Sequence, residues 1–131
     1  KINYLVKRKR EIGKIYYKYL KYNKFIKIQD QSLKYAKNIY WVFGVLVKPN
    51  NKFTRDLIVK KLLKKNIQTR NFFYPMHKQN IFKRFKIFKR KIKLPNSEFL
   101  SRNGFYLPSG LGITNKEIIY TCKVLNTILK K

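Results

Sequence analysis

Over residues 1–20 the apolar side chains return at helical spacing. Leu5, Ile12, Tyr16 and Tyr19 share one face, and Lys7, Arg8, Lys9 and Arg10 crowd a solvated turn, a pattern that predicts an amphipathic helix. Phe25-Ile26-Lys27-Ile28 predicts a short strand, and the polar residues 30–38 predict a loop. Ile39-Tyr40-Trp41-Val42-Phe43-Gly44-Val45-Leu46-Val47 is an unbroken β-branched and aromatic run. It predicts a central strand buried on both faces, ended by the turn chemistry of Lys48-Pro49-Asn50-Asn51.

Thr54 stands where a helix N-cap is needed, with Asp56 in the first turn, where a carboxylate suits the helix dipole. Leu57, Ile58, Leu62 and Leu63 carry the stripe to about Asn66, and Lys60, Lys61, Lys64 and Lys65 gather toward the end that favours cations. Residues 67–73 predict a further strand, closed by Tyr74-Pro75. A short helix is expected over 96–102, ended by an Asn103-Gly104 turn, then a brief strand at 105–107 stopped by Pro108. Thr114-Asn115-Lys116-Glu117 fits a capping box. The last helix places Ile118, Cys122, Leu125 and Leu129 on one face. The order is helix, strand, strand, helix, strand, helix, strand, helix. It predicts an α/β or α+β layer, a small sheet covered by helices.

The 131 residues are enough for one domain, and a hydrophobic fraction of 44% sets the chain apart from disordered sequences. The longest apolar run, 39–47, is too short to span a bilayer, and no signal peptide is visible. One cysteine and one histidine make neither an internal disulfide nor a structural zinc site, so a reduced, cytoplasmic setting is expected. The sequence opens on Lys1 rather than Met, as expected of a fragment or a processed product.

Charge changes the picture less than its size suggests. Thirty-three Lys and Arg face five acids, for a net charge of +28. Yet Lys, Ile, Asn, Tyr and Phe, the residues of A- and T-rich codons, make up 73 of the 131 positions. Lys outnumbers Arg by 26 to 7, although Arg is the better fork for phosphate and bases. Codon bias therefore ranks ahead of selection for nucleic acid, and salt-sensitive, non-specific polyanion binding is expected all the same. The basic run 83–93 interleaves lysines with Phe85 and Phe88. It reads either as a backbone-tracking surface with stacking platforms or, ahead of that, as a surface segment with both phenylalanines tucked inward. Gly110-Leu111-Gly112 is expected to be a turn, and Cys122 a small buried hydrophobe. With one His and five scattered acids, neither a nucleophile triad nor a carboxylate pair can be drawn.

The remaining chemistry lies in Thr69-Arg70-Asn71-Phe72-Phe73-Tyr74-Pro75-Met76-His77-Lys78-Gln79, which holds the sole His and a forked cation around one proline. This stretch resembles the pattern T-R-P-F-F-Y-P-M-H-x-Q-P of the DegT/StrS-type sugar aminotransferases. It departs from it at Asn71 and Asn80, where the family usually has proline. Tyr40 to Val45 and Ser101 to Gly110 resemble two more family segments, and Lys9-Arg10-Glu11-Ile12 with Tyr16 resembles the helix joining the family's two domains. The resemblance covers nearly the whole chain, strongly at 40–47, 69–79 and 101–110 and weakly at 21–38 and 80–95. Around Trp41 and Phe105 it is greatest to perosamine-synthase-like members, which aminate a GDP-linked 4-keto-6-deoxy sugar.

The resemblance implies the small C-terminal domain of a fold-type I aminotransferase, with residues 1–20 as the interdomain linking helix and 21–131 as the domain. The large domain would supply the lysine that binds pyridoxal 5'-phosphate and the acid beside its ring nitrogen. Neither motif is in this chain, so it should not catalyse transamination alone. The complete enzyme would move an amino group from glutamate to the C4 ketone of a nucleotide sugar, as a homodimer. Arg70, Tyr74 and His77 would bind substrate: Arg70 as a fork for carboxylate or phosphate, Tyr74 and His77 as hydrogen-bonding groups for the sugar or its diphosphate. The bland alternative has Arg70 bracing the loop and Phe72, Phe73, Met76 and Trp41 in the core. The rivals from other classes are a small basic nucleic-acid-binding module and a non-catalytic remnant.

Overall fold

The computed structural model describes residues 1–50, 52–87 and 92–130. The chain opens with α1 (Ile2–Leu20), then β1 (Ile26–Ile28), a tight hairpin of β2 (Ser32–Leu33) and β3 (Ala36–Lys37), and β4 (Phe43–Val47). It continues through α2 (Arg55–Leu63), β5 (Arg70–Asn71), a 3-10 turn (Met76–Lys78), α3 (Asn80–Arg84), α4 (Pro95–Asn103), β6 (Gly104–Leu107) and α5 (Asn115–Lys130). Four strands form one antiparallel sheet in the order β1-β4-β6-β5. The result is the expected small sheet with helices packed on it. Among the described residues no helix is long and apolar enough to cross a membrane.

Both capping expectations hold. Thr54 Oγ1 accepts from the Leu57 amide at the start of α2. Before α5, Thr114 Oγ1 accepts from the Glu117 amide while the Glu117 carboxylate accepts from the Thr114 amide. Ile118, Cys122, Leu125 and Leu129 of α5 are all buried. Burial pushes the Cys122 thiol up to about 12, so it is packing material rather than a nucleophile. Tyr16 stacks on Phe43, with ring centroids 4.7 Å apart, at the centre of the core.

Several expectations are corrected. The buried face of α1 is Ile12, Gly13, Tyr16 and Leu20, because its first turns lie outside the core and Leu5 and Tyr19 stay exposed. The run 39–47 becomes a strand only at Phe43, because Tyr40 takes a left-handed backbone (φ 51°) that breaks extended geometry and leaves Ile39 and Trp41 exposed. The strand over 67–73 shrinks to Arg70–Asn71. The left-handed Asn66 and the bond from the Ile67 amide to the Leu62 carbonyl spend its first residues closing α2. No turn follows Asn103: α4 runs directly into β6, with Gly104 extended at φ −98°. The predicted loop 30–38 contains the β2–β3 hairpin. Asn51 and Phe88, named above in a turn and in the basic run, lie outside the described residues.

The cationic turn of α1 is corrected as well. Only Lys7 stays in solvent. The Arg8 guanidinium donates to the Ile113 carbonyl and to Asn115 Oδ1, and Lys9 Nζ donates to the carbonyls of Trp41 and Ser109, both at 2.6 Å. Arg10 Nε reaches the Asn38 carbonyl, and the Tyr16 hydroxyl donates to the Pro108 carbonyl at 2.6 Å. Burial lowers the Lys9 pKa.

Gly13 is fixed by the same packing, since a Cβ there would lie 2.2 Å from Cδ2 of the buried Tyr40 ring. Gly13→Ala should therefore destabilise the fold by about 1–3 kcal/mol through overpacking, in spite of its better helix propensity. Urea unfolding should show the loss shrinking when Tyr40 is first replaced by Leu.

Candidate functional site

The end of β6, the start of α5, the residues just before β4 and the chain leading from α2 to β5 enclose a cleft of about 1020 Å³. Lys9, Trp41, Lys65, Thr69, Arg70 and Tyr106 line it. Tyr40's left-handed turn leaves Trp41 66% exposed at the mouth. The Arg70↔Tyr106 register pair of β5 and β6 sets Arg70 on the wall. Its guanidinium is exposed and has no partner among the described residues. The neighbouring Thr69 Oγ1 is buried without a partner. Lys9 adds a fixed positive charge, its ammonium held on two carbonyls. The carboxylate on the rim, Glu117, is spent on the cap of α5, and the Thr114 backbone bond, followed by the Thr114 hydroxyl, lowers its pKa. The free chemistry of the cleft is therefore an unpaired planar cation beside two aromatic rings, with the exposed Lys65 on the same lining, suited to an anion.

A second hollow, of about 460 Å³, lies on the other side of Phe72. Tyr74, Arg55, Lys78, Glu98 and Arg102 line it. The Tyr74 ring is exposed here, carried on the turn before the buried Pro75. His77 points elsewhere. Its side chain is only 4% exposed, and its Nε2 lies 3.1 Å from Glu98 Oε1. Lys78 Nζ donates to the other carboxylate oxygen at 2.6 Å. That bond first, and the His77 bond second, pull the Glu98 pKa down to about 2. His77 Nδ1 is buried with no partner.

The three residues singled out from sequence are thus neighbours but not one cluster: Arg70 faces the cleft, Tyr74 the hollow, and His77 the helix α4. Phe72 sits between them, stacked on Tyr106 with centroids 4.5 Å apart. It fills the space left by two glycines, since a Cβ on Gly104 would lie 2.2 Å, and one on Gly44 3.0 Å, from its ring. Phe73 and Met76, placed in the core along with Trp41 by the bland alternative, are exposed, as Trp41 is. Glu98 was missed in the sequence. Its one signal there is isolation, as the sole acid between Asp56 and Glu117.

A pyridoxal phosphate site needs a free lysine in a shaped pocket and a carboxylate for the ring nitrogen. Glu11 meets Arg8, Asp56 meets Arg55, Glu98 meets Lys78 and His77, and Glu117 caps α5. Asp30 is exposed and not part of the cleft. Lys9 is tied to carbonyls, and Lys65 stands exposed. The described residues do not make such a site by themselves.

Residues 1–126 match the DegT/DnrJ/EryC1/StrS aminotransferase family. Over 121 residues the chain is 31% identical to GDP-perosamine synthase of Escherichia coli O157:H7, a match that takes in 92% of this chain and 30% of that protein. Helicobacter pylori PseC, an aminotransferase involved in the biosynthesis of pseudoaminic acid, shares the fold with a TM-score of 0.82 at 15% identity, over 95% of this chain and 33% of its own. E. coli GDP-4-keto-6-deoxy-D-mannose-3-dehydratase, solved with bound hydrated PLP, does so with a TM-score of 0.69 at 19% identity, over 92% and 31%. The chain spans about a third of the length of each of these proteins.

The depressed Glu98 pKa fixes a sign. Its bonds to Lys78 and His77 favour the fold at full strength above the ordinary carboxylate value of 4.5, and this contribution is lost as pH falls toward about 2. A carbon-13 titration of the Glu98 carboxyl should show a midpoint near 2 in the native chain. In Lys78→Met the midpoint should rise toward the ordinary value.

Proposed function

The chain belongs to the DegT/DnrJ/EryC1/StrS aminotransferase family, and on that premise we propose that it is the C-terminal part of a pyridoxal-phosphate-dependent nucleotide-sugar aminotransferase. On this reading residues 1–20 join it to a large domain, and 21–131 form the small domain. That large domain holds the cofactor, its lysine and its acid. The whole enzyme, on this reading, transfers an amino group from glutamate to the C4 ketone of a nucleotide-linked 4-keto-6-deoxy sugar; the likeness to a protein named GDP-perosamine synthase supports a GDP-linked amino sugar as the product class. It works as a cytoplasmic homodimer, and the isolated chain is inactive.

The observation that carries the site reading is the unpaired Arg70 guanidinium on the wall of an open cleft beside Trp41 and Tyr106. A fork with no protein partner can take a carboxylate or phosphate by two parallel bonds. Tyr74, exposed on the far side of Phe72, offers a phenol to the sugar end. His77 is held through Nε2, which leaves Nδ1 as its free nitrogen. A contact with substrate through Nδ1 requires the turn at 76–78 to shift, because that atom is buried in the present arrangement.

In the complete enzyme Arg70→Ala should lower kcat/KM for the nucleotide sugar by about 10- to 100-fold, the loss of one charge-assisted fork. Arg70→Lys should not restore it, because an ammonium cannot make the bidentate contact. An amination assay with GDP- and UDP-linked 4-keto sugars reads both. Neither variant should change polyanion binding, which follows the diffuse charge. Sequence-selective binding of DNA or RNA by the chain at moderate salt, with large discrimination, would sink this reading in favour of a nucleic-acid-binding module.

A further inference from the structure

The basic run after the 3-10 turn is unused by the reading above. On its described part the expected inward tuck fails. Phe85 is 65% exposed and Ile87 55%, and Ile81, one helical turn before Phe85, is 49% exposed. The backbone that carries these side chains is bonded to itself. The Phe85 amide bonds the Ile81 carbonyl, the Ile87 amide bonds the Phe82 carbonyl, and a left-handed Lys86 (φ 49°) turns the chain between them. Arg84 and Lys86 are exposed among them, with no partner among the described residues. No acid occurs from Leu57 to Ser97. The two acids that flank this span are both taken, Asp56 by Arg55 and Glu98 by Lys78 and His77.

We propose that the surface formed by Ile81, Arg84, Phe85, Lys86 and Ile87 docks on an anionic phospholipid bilayer. The charge selects the partner: unpaired cations with no local acid match a negative headgroup layer. The apolar residues select it further. Isoleucine has no π-face, so Ile81 and Ile87 gain nothing from stacking on bases, which is how single-stranded nucleic acid is gripped. Sinking beside Phe85 into the boundary between headgroups and acyl chains removes all three from water. Lysine and arginine around them can keep their charges at headgroup level while their stems lie along the apolar surface. The inference stands apart from the proposed transamination and needs no cofactor.

The test is co-sedimentation of the 131-residue chain with vesicles of phosphatidylcholine, alone or with about one-third phosphatidylglycerol, at low and physiological salt. The native chain should bind only the anionic vesicles and remain bound at physiological salt. Phe85→Ser with Ile87→Ser keeps every cation and should weaken partition by at least about tenfold. Arg84→Gln with Lys86→Gln should weaken it comparably, and both pairs alter exposed side chains that the core does not use. Lys60→Gln with Lys64→Gln at the C-terminal end of α2 removes two cations elsewhere and should cost less than about threefold. The proposal is overturned if the Phe85/Ile87 pair binds as the native chain does, or if the α2 pair loses as much as the Arg84/Lys86 pair, because binding would then be diffuse attraction. It is also overturned if single-stranded RNA competes the chain off the vesicles and its own binding depends on Phe85.

Discussion

Loop carbonyls that find their donors on a distant helix are the constraint on which the rest of this domain depends. Arg8, Lys9 and Arg10 on one turn of α1, and Tyr16 further along it, donate to carbonyls at Ile113, Trp41, Ser109, Asn38 and Pro108. Each acceptor belongs to a segment with no ladder partner there, and a buried carbonyl without a donor is costly. Charged donors make the stronger bonds, and the lowered Lys9 pKa shows that desolvation accompanies them. Trp41 and the segment 108–113, which supply most of these acceptors, also form the rim of the cleft. The helix that closes the core therefore also sets the shape of the site.

The sheet has two differently made faces. One carries Phe43, Val45, Val47, Phe105 and Leu107 into the core beneath α1 and α5. The other carries Gly44 and Gly104, and the Phe72 ring lies over both, against Tyr106. This ring separates the Arg70 cleft from the Tyr74 hollow. The short β5 can hold its register over only two residues because its neighbour Phe72 is seated in that way.

What was legible in the sequence was local. The α5 cap, the Thr54 cap and the apolar stripe of α5 depend on residues three and four apart, and the structure reproduces them. The family segments at 40–47, 69–79 and 101–110 mark the places where the cleft and the hollow are built. What was not legible depends on partners far along the chain. Nothing near Arg8 foretells a carbonyl at Ile113, so a cationic turn reads as solvated. Tyr40 has strand propensity, yet tertiary packing against Gly13 holds it left-handed and cuts the strand short. The exposure of Trp41, Phe73 and Met76 is a matter of which faces the fold leaves open, which hydrophobicity alone does not encode. Glu98 acquires its role only when α4 comes to rest beside the 76–78 turn.

The seat of Phe72 also bears on how such a domain can diverge. Gly44, Gly104 and Phe72 share one volume, so the order in which they change matters. A side chain at Gly104 becomes tolerable only after Phe72 has given way to something smaller, whereas the reverse order passes through a clashing intermediate. The three positions should therefore drift as a linked group across descendants of this chain, with the aromatic position acting as the permissive step. Strand residues facing the core can vary one at a time within the limits of packing.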